Sequence, residues 1–164
     1  MPDLLDSASN LHAALLRREF SARDLLGSTL AAIERLNPAL NAIVQKDAAS
    51  AWRGANDSDA RIARGEARAL EGLPVTIKDC FEVAGMVTSA GAPGLQNYIP
   101  KEDASAVARL RRAGAILLGK TNVPIFTGDF QTYNSIYGTA NNPWKPRLFP
   151  RWVLAEPRRP SPPA

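Results

Sequence analysis

Lys78 stands where a strand-forming run gives way to polar residues, and a lysine at such a point can do chemistry. The run Pro74–Ile77 is rich in β-branched residues, which predicts a strand that ends at Lys78 and Asp79. Without further information, a lysine at a strand end is a solvated surface residue. If burial or nearby positive charge keeps the amine uncharged, it can instead act as a general base.

The neighbouring residues offer weaker candidates for catalysis. We interpret Asp79 as a loop or capping carboxylate rather than a catalytic acid. Cys80 could be a nucleophile only with a base beside it, and the single histidine, His12, lies far away on a predicted first helix. We therefore expect Cys80 to be a small buried residue and His12 to be a surface residue.

The sequence contains no motif for a metal ion or a nucleotide. It has no cluster of cysteines and histidines, no Gly-x-Gly-x-x-Gly and no phosphate-binding P-loop, so we predict no metal and no cofactor. One cysteine cannot form an internal disulfide, which favours the reducing cytoplasm. There is no 18-residue apolar run, and the first residues do not resemble a secretory signal, so we expect no membrane association.

The positive charge of the chain is concentrated near its end. Residues 145–164 hold five basic residues and one acidic residue, which accounts for the net charge of +4, and six of the 13 prolines. We predict a partial domain over residues 1–146 and a disordered basic tail over residues 147–164. Because the body is neutral, we expect no nucleic-acid partner; the oligomeric state is left open.

The elements predicted around Lys78 alternate between helix and strand. A first helix spans Ser7 to Arg18, and Ser21 with Asp24 starts a second that should stop at Asn37-Pro38. A short strand is expected over 41–45 and a largely helical stretch over 46–69.

Two further elements follow Lys78. Asp103 should cap another helix, which ends at Gly114, and the apolar run 115–118 predicts a buried strand. The alternation of helices and strands predicts the α/β class.

Several segments, in the same order and spacing, resemble motifs of the amidase signature family, over roughly residues 5–146. The matching segments are Gly72 to Asp79, Thr88 to Gly91, Asp103 to Gly114, Gly114 to Asn122, and Asn142 to Trp144. The resemblance implies an incomplete portion of a large α/β/α layered fold with a mixed sheet. Because that fold is far larger, we expect apolar side chains at 75, 77, 116 and 117 to meet water and the fragment to be marginally stable.

The resemblance also implies the chemistry. Family members hydrolyse carboxylic amides, here a small amide substrate, with a Ser–cis-Ser–Lys triad, in which a neutral lysine takes a proton through a bridging serine and so activates a nucleophilic serine. Lys78 matches the lysine of that triad. Lys120, Thr121 and Asn122 match scaffold around the site.

The match breaks after Asn142-Pro143-Trp144, where the family continues to Gly-Gly-Ser-Ser-Gly-Gly. If the reading frame is shifted forward by one base from Phe149, the codons of Phe149–Leu154 can be read as Ser-Pro-Gly-Gly-Ser-Ser. Tryptophan has the single codon TGG and every valine codon begins with G, so the shifted codon across Trp152 and Val153 is GGG, which encodes glycine. We therefore hypothesise a frameshift near residue 147. Without both serines of the triad, we expect the chain to be truncated and inactive.

Three functions remain open at this point. The first is a remnant of a stand-alone amidase. The second is a remnant of the glutamine-hydrolysing polypeptide of a tRNA-dependent amidotransferase. The third is a non-enzymatic interaction fragment, which would have to fold alone.

Overall fold

The computed structural model describes residues 2–144, so the predicted tail over 147–164 lies outside the described residues. Along the chain the helices are α1 Ala8–Leu16, α2 Ala22–Leu40, α3 Ala48–Ala63 and α4 Ser105–Arg112. The strands are β1 Ile43–Lys46, β2 Pro74–Lys78, β3 Ile116–Thr121, β4 Tyr133–Asn134 and β5 Gly138–Thr139. Two short 3-10 turns, Pro93–Leu95 and Ile125–Thr127, lie in the loops.

The central sheet has three strands in the order β1-β3-β2. β1 runs antiparallel to β3, whereas β2 runs parallel to it and is connected to it through α4. β4 and β5 form a separate small hairpin. The prediction of an α/β fragment with a mixed sheet is therefore confirmed.

Helices α1, α2 and α3 cover one face of the sheet. Buried leucines of α1 and α2, among them Leu15, Leu25 and Leu26, pack with the small residues of α3 and with Ile116 and Leu118 of β3. Burial of each such leucine stabilises the fold by roughly 1.5–3 kcal/mol. This cluster fixes β3 against the helical layer.

The opposite face of the sheet is covered as well, which corrects one expectation. Ile77 and Leu117 are each 7% exposed and pack with Val83 and Val107, and Val75 is half-buried beside them. Ile116, 4% exposed, belongs to the other face. The prediction that these side chains meet water is wrong, because α4 and the long loop after β2 cover Val75, Ile77 and Leu117, whereas the layer of α1, α2 and α3 covers Ile116.

The start of α2 agrees with the prediction from the sequence, and its end does not. Ser21 accepts a hydrogen bond from the Asp24 backbone N–H and Asp24 accepts one from the Ser21 N–H, so the predicted capping box is confirmed. The prediction that Asn37-Pro38 ends the helix is wrong, since α2 continues to Leu40. Pro38 lies in the last turn, and the Asn37 side chain binds the backbone of Ala42 and Ile43 beyond the helix.

Helices α3 and α4 are shorter than predicted. α3 ends at Ala63, and the chain turns at Gly65 with φ of 74°. The prediction that Asp103 caps α4 is wrong, because Ala104 is the N-cap residue and no side chain caps the helix. The Asp103 carboxylate instead accepts a hydrogen bond from the Ala84 N–H and pairs with Arg111 at 2.7 Å.

Over residues 2–144, none of the helices combines the length and the apolar character that spanning a bilayer requires.

Candidate active site at the ends of two parallel strands

The parallel pairing of β2 and β3 brings two lysines to one edge of the sheet. Lys78 is aligned with Thr121, and Lys120 is aligned with Ile77. Because side chains alternate along a strand, the side chains at neighbouring positions in this register project to opposite faces of the sheet. The two lysines consequently occupy different environments.

Lys78 is exposed and faces a cleft of about 620 Å3. Among residues 2–144, its side chain makes no hydrogen bond and no ion pair. The rest of the cleft is lined by hydroxyl, amide and small side chains, namely Ala42, Thr76, Thr121, Asn122, Thr132, Ala140, Asn141 and Pro143. The described lining therefore holds one charged residue, which is Lys78.

Asp79, directly after Lys78, is fully buried. Its carboxylate accepts hydrogen bonds from the Ser89 backbone N–H and hydroxyl and from the Gln45 amide, and it pairs with Lys120 at 3.1 Å. Asp79 is a turn residue whose carboxylate caps the loop backbone at Ser89, as interpreted from the sequence, but its full burial and its ion pair with Lys120 were not expected. Its position at the strand end turns it into the interior, where several segments of the chain converge on it.

Lys120 is also fully buried. Its Nζ donates to the Val87 carbonyl at 3.2 Å and to the Thr88 hydroxyl at 2.9 Å, in addition to Asp79. Burial lowers the pKa of the Lys120 amine from its ordinary value, although Asp79 acts in the opposite direction. Three acceptors match the three N–H groups of an ammonium ion, so the geometry is that of a charged lysine.

The loop over residues 88–91 closes this network from the other side. The Ala90 N–H donates to the Asp79 carbonyl, and the Phe126 N–H donates to the Ala90 carbonyl. Ala90 has φ of 48°, a left-handed conformation that is strained for a residue with a side chain. At Gly91 a β-carbon would lie 2.9 Å from the Val123 carbonyl oxygen, so the loop packs tightly against the chain after β3.

Asn122 lines the cleft and is held in place by Asn134. The Asn134 amide donates to the Asn122 side chain and to the Val123 carbonyl, both at 2.8 Å. The Asn122 amide donates to the Asn41 carbonyl at 3.2 Å. These bonds connect the β4–β5 hairpin to the residues after β3 and to the turn before β1, and they fix Asn122 in the lining of the cleft.

Sequence reasoning placed Lys78, Lys120, Thr121 and Asn122 near one another, and the structure brings them to one edge. It missed Gln45, whose amide also contacts the Tyr137 hydroxyl at 3.0 Å, and Ser89. The available signal was a polar glutamine within the apolar run of β1 and a serine beside a glycine loop. Neither signal is specific without knowledge of the fold.

The remaining candidates, Cys80 and His12, do not line the cleft. Cys80 is half-buried rather than buried, and His12 is half-buried, with its Nε2 buried and without a hydrogen-bond partner in the described chain. No group of three or more His, Cys, Asp or Glu residues within 2–144 is arranged to hold a metal ion. That no metal or cofactor is used stays a prediction.

Comparison with known proteins gives one consistent family. The sequence profile described as Amidase matches residues 24–150. The A subunit of glutamyl-tRNA(Gln) amidotransferase from Methylococcus capsulatus is 40% identical over 142 residues, which are 87% of this chain and 29% of that protein. Its counterpart from Syntrophobacter fumaroxidans is 43% identical over 138 residues, covering 82% and 28%.

Solved structures give the same result for the fold. A peptide amidase from Stenotrophomonas maltophilia superposes with a TM-score of 0.79 at 31% identity, over 88% of this chain and 31% of that chain. A bacterial aryl acylamidase of the amidase signature family superposes with a TM-score of 0.82 at 26% identity, over 88% and 30%. The chain thus spans less than a third of the length of these relatives.

Proposed function

The chain belongs to the amidase signature family, and we propose that it is the lysine-bearing portion of an enzyme that hydrolyses carboxylic amide C–N bonds. The observation that carries the proposal is the position of Lys78. Its amine lies at the carboxyl end of β2, in a cleft of about 620 Å3, without a carboxylate partner among residues 2–144. A small amide is the proposed substrate.

In the proposed reaction Lys78 is the general base. Its uncharged amine takes a proton from a bridging serine, which takes the proton of the nucleophilic serine as that oxygen attacks the amide carbonyl. The proton then passes to the leaving amine, and the C–N bond breaks to give an acyl-enzyme. Water attacks the acyl group by the reverse route and releases the acid.

We propose that residues 1–164 alone do not carry out this reaction. The bridging serine belongs to a Gly-Gly-Ser-Ser stretch that residues 145–164 do not contain, the nucleophilic serine belongs to a later segment of the family sequence, and the family match stops at residue 150. Ser89 is no substitute, because it is fully buried and its hydroxyl donates to Asp79. The purified chain should therefore show no hydrolysis of p-nitroacetanilide or glutamine above buffer.

A chimeric enzyme tests the role of Lys78. Residues 1–144 are fused to the part of the Methylococcus capsulatus protein that follows its matching region, and amide hydrolysis is measured. Lys78→Met should reduce kcat by at least about a thousandfold, as expected for loss of a residue that acts as one unit with its nucleophile. The matched control is Lys101→Met, an exposed lysine away from the cleft, which should leave kcat unchanged. An active Lys78→Met chimera would contradict the proposal.

We also propose that the coding sequence is frameshifted near residue 147. The support is the reading of Phe149–Leu154 in the next frame as Ser-Pro-Gly-Gly-Ser-Ser, at the distance from Trp144 that the family uses. Sequencing the DNA across this point tests it. The hypothesis is wrong if neither forward frame encodes Gly-Gly-Ser-Ser followed by a second serine-containing, glycine-rich loop.

A second candidate is the glutamine-hydrolysing component of a tRNA-dependent amidotransferase. It is favoured by the curated relatives, which carry that name at 38–43% identity, whereas the solved amidases cited above are 26–31% identical. The two candidates are distinguished with this chain's own downstream coding sequence, restored to the reading frame, in place of the chimera. Release of ammonia from glutamine that rises when the partner subunits are added would support the amidotransferase.

A further inference from the structure

Two lysines lie near the ends of β2 and β3, and the buried carboxylate of Asp79 pairs with only one of them. Lys78 and Asp79 are adjacent in the chain, yet Asp79 pairs with Lys120 at 3.1 Å. Lys120 and Asp79 are both 0% exposed, whereas Lys78 is exposed in the cleft. The carboxylate next to the proposed base is therefore already neutralised by a second lysine.

This arrangement matters because a carboxylate favours the protonated form of a nearby amine. A base must be uncharged to accept a proton, and an unpaired carboxylate on Asp79, the next residue in the chain, would oppose that. Glu82, another carboxylate that acts on Lys120, is exposed and accepts a hydrogen bond from the Tyr98 hydroxyl at 2.7 Å. Asp79 is the buried carboxylate next to Lys78 in the chain, and it is the one that Lys120 neutralises.

The remaining contacts of Asp79 hold it in place but do not remove its charge. Ser89 contributes a backbone N–H and a hydroxyl, and Gln45 contributes an amide, all of which are neutral donors. Lys120 contributes the positive charge. Its other two bonds, to Val87 and Thr88, fix the ammonium so that it cannot move towards solvent.

We propose that Lys120 is a positioning residue that neutralises the Asp79 carboxylate and thereby leaves the amine of Lys78 free to act as a base. The proposal rests on the proposed role of Lys78. It assigns Lys120 no contact with substrate.

The test measures the reactivity of Lys78 in the full 164-residue chain, so it requires no catalysis. The folded protein is treated with a limiting amount of acetyl N-hydroxysuccinimide at pH 8, and peptide mass spectrometry gives the acetylation rate of Lys78 relative to Lys101. In Lys120→Met this ratio should fall roughly fivefold, because the unpaired Asp79 carboxylate holds a proton on the amine. In Asp79→Asn/Lys120→Met, which has no charge at either position, the ratio should return to within about twofold of the original value.

A purely structural role for Lys120 predicts a different pattern. Circular dichroism identifies the variants that fold, and a folded Lys120→Met with an unchanged ratio overturns the proposal. If Lys120→Met does not fold, the neutral double variant still decides, since a fall of its ratio would show that geometry rather than charge controls Lys78. Failure of the proposed function is seen separately, as activity of the Lys78→Met chimera.

Discussion

Gly119 of β3 lies so close to Gln45 of β1 that a β-carbon at position 119 would come within 2.1 Å of the Gln45 carbonyl oxygen. The two strands are therefore closer here than any other residue type allows, and the same Gln45 sends its side chain to Asp79. We expect Gly119→Ala to separate β1 from β3 and to lower the free energy of unfolding by about 3 kcal/mol. Urea unfolding followed by circular dichroism measures this.

The matched control for that substitution is Gly94→Ala. A β-carbon at Gly94 meets no atom within 4 Å, so the midpoint of its urea transition should stay close to the original value. Equal midpoints for the two variants would show that the approach of β1 to β3 is not as tight as described.

Glu71 gives a prediction about acid. It is fully buried, and its carboxylate accepts hydrogen bonds from Arg68 at 2.6 and 2.9 Å and from the Ser58 hydroxyl at 2.6 Å. Burial raises the pKa of Glu71, but the bonds from Arg68 and Ser58 outweigh it, so the pKa lies below the ordinary value of 4.5. The stabilisation is thus present above pH 4.5 and is lost as the pH falls through the lowered pKa.

Glu71→Gln removes this dependence. At pH 7 the variant should be less stable by about 2 kcal/mol, because it loses the charged partner of Arg68. The difference from the original chain should shrink as the pH is lowered from 4.5, when Glu71 becomes protonated in the original chain. Thermal unfolding at several pH values measures it, and a difference that grows towards acid would contradict the assignment.

Asn37 gives a prediction about the junction between α2 and β1. Its side chain accepts hydrogen bonds from the Ala42 and Ile43 N–H groups and donates one to the Ile43 carbonyl. Asn37→Ala leaves these half-buried backbone groups without partners and should reduce the free energy of unfolding by about 2 kcal/mol. Asn97→Ala, at an exposed loop position, is the control. A similar loss of stability in this variant would contradict the role assigned to the hydrogen bonds of the Asn37 side chain.

Ser89 gives a prediction about the proposed site. Its hydroxyl donates to Asp79 and accepts a hydrogen bond from the Gly91 N–H, in a fully buried position. Ser89→Ala should destabilise the chain by about 2 kcal/mol, whereas Ser105→Ala, at the exposed first residue of α4, should be nearly neutral. Hydrogen exchange at Ala90, whose N–H donates to the Asp79 carbonyl, should accelerate in Ser89→Ala alone.

Local signals in the sequence predicted local structure well. The bonds of the Ser21–Asp24 capping box join residues three positions apart, so the sequence contains all that is needed to predict it. The strand that ends at Lys78 was likewise predicted from its β-branched run. Where a residue has a choice between a local and a distant partner, as Asp103 does between α4 and Ala84, the local rule failed.

The burial of Lys120 and Asp79 was outside the reach of such rules. A lysine or an aspartate in a polar stretch is normally exposed, and these two are buried only because each supplies the charge that the other requires. That pairing depends on the parallel register of β2 and β3, which the pattern of apolar residues does not fix. The expectation that apolar side chains of β2 and β3 meet water failed for a related reason, since distant segments of the chain, the loop after β2 with α4 on one face and α1 to α3 on the other, cover them.

The Asp79 network has a consequence for how the protein is made. Its members, Gln45, Asp79, Val87, Thr88, Ser89, Lys120 and Tyr137, all precede the point at which the family places its serines. On the ribosome, these residues leave the exit tunnel before the nucleophile is synthesised, and N-terminal segments are the first to fold. The electrostatic environment of the base can therefore be assembled co-translationally, ahead of the group it serves.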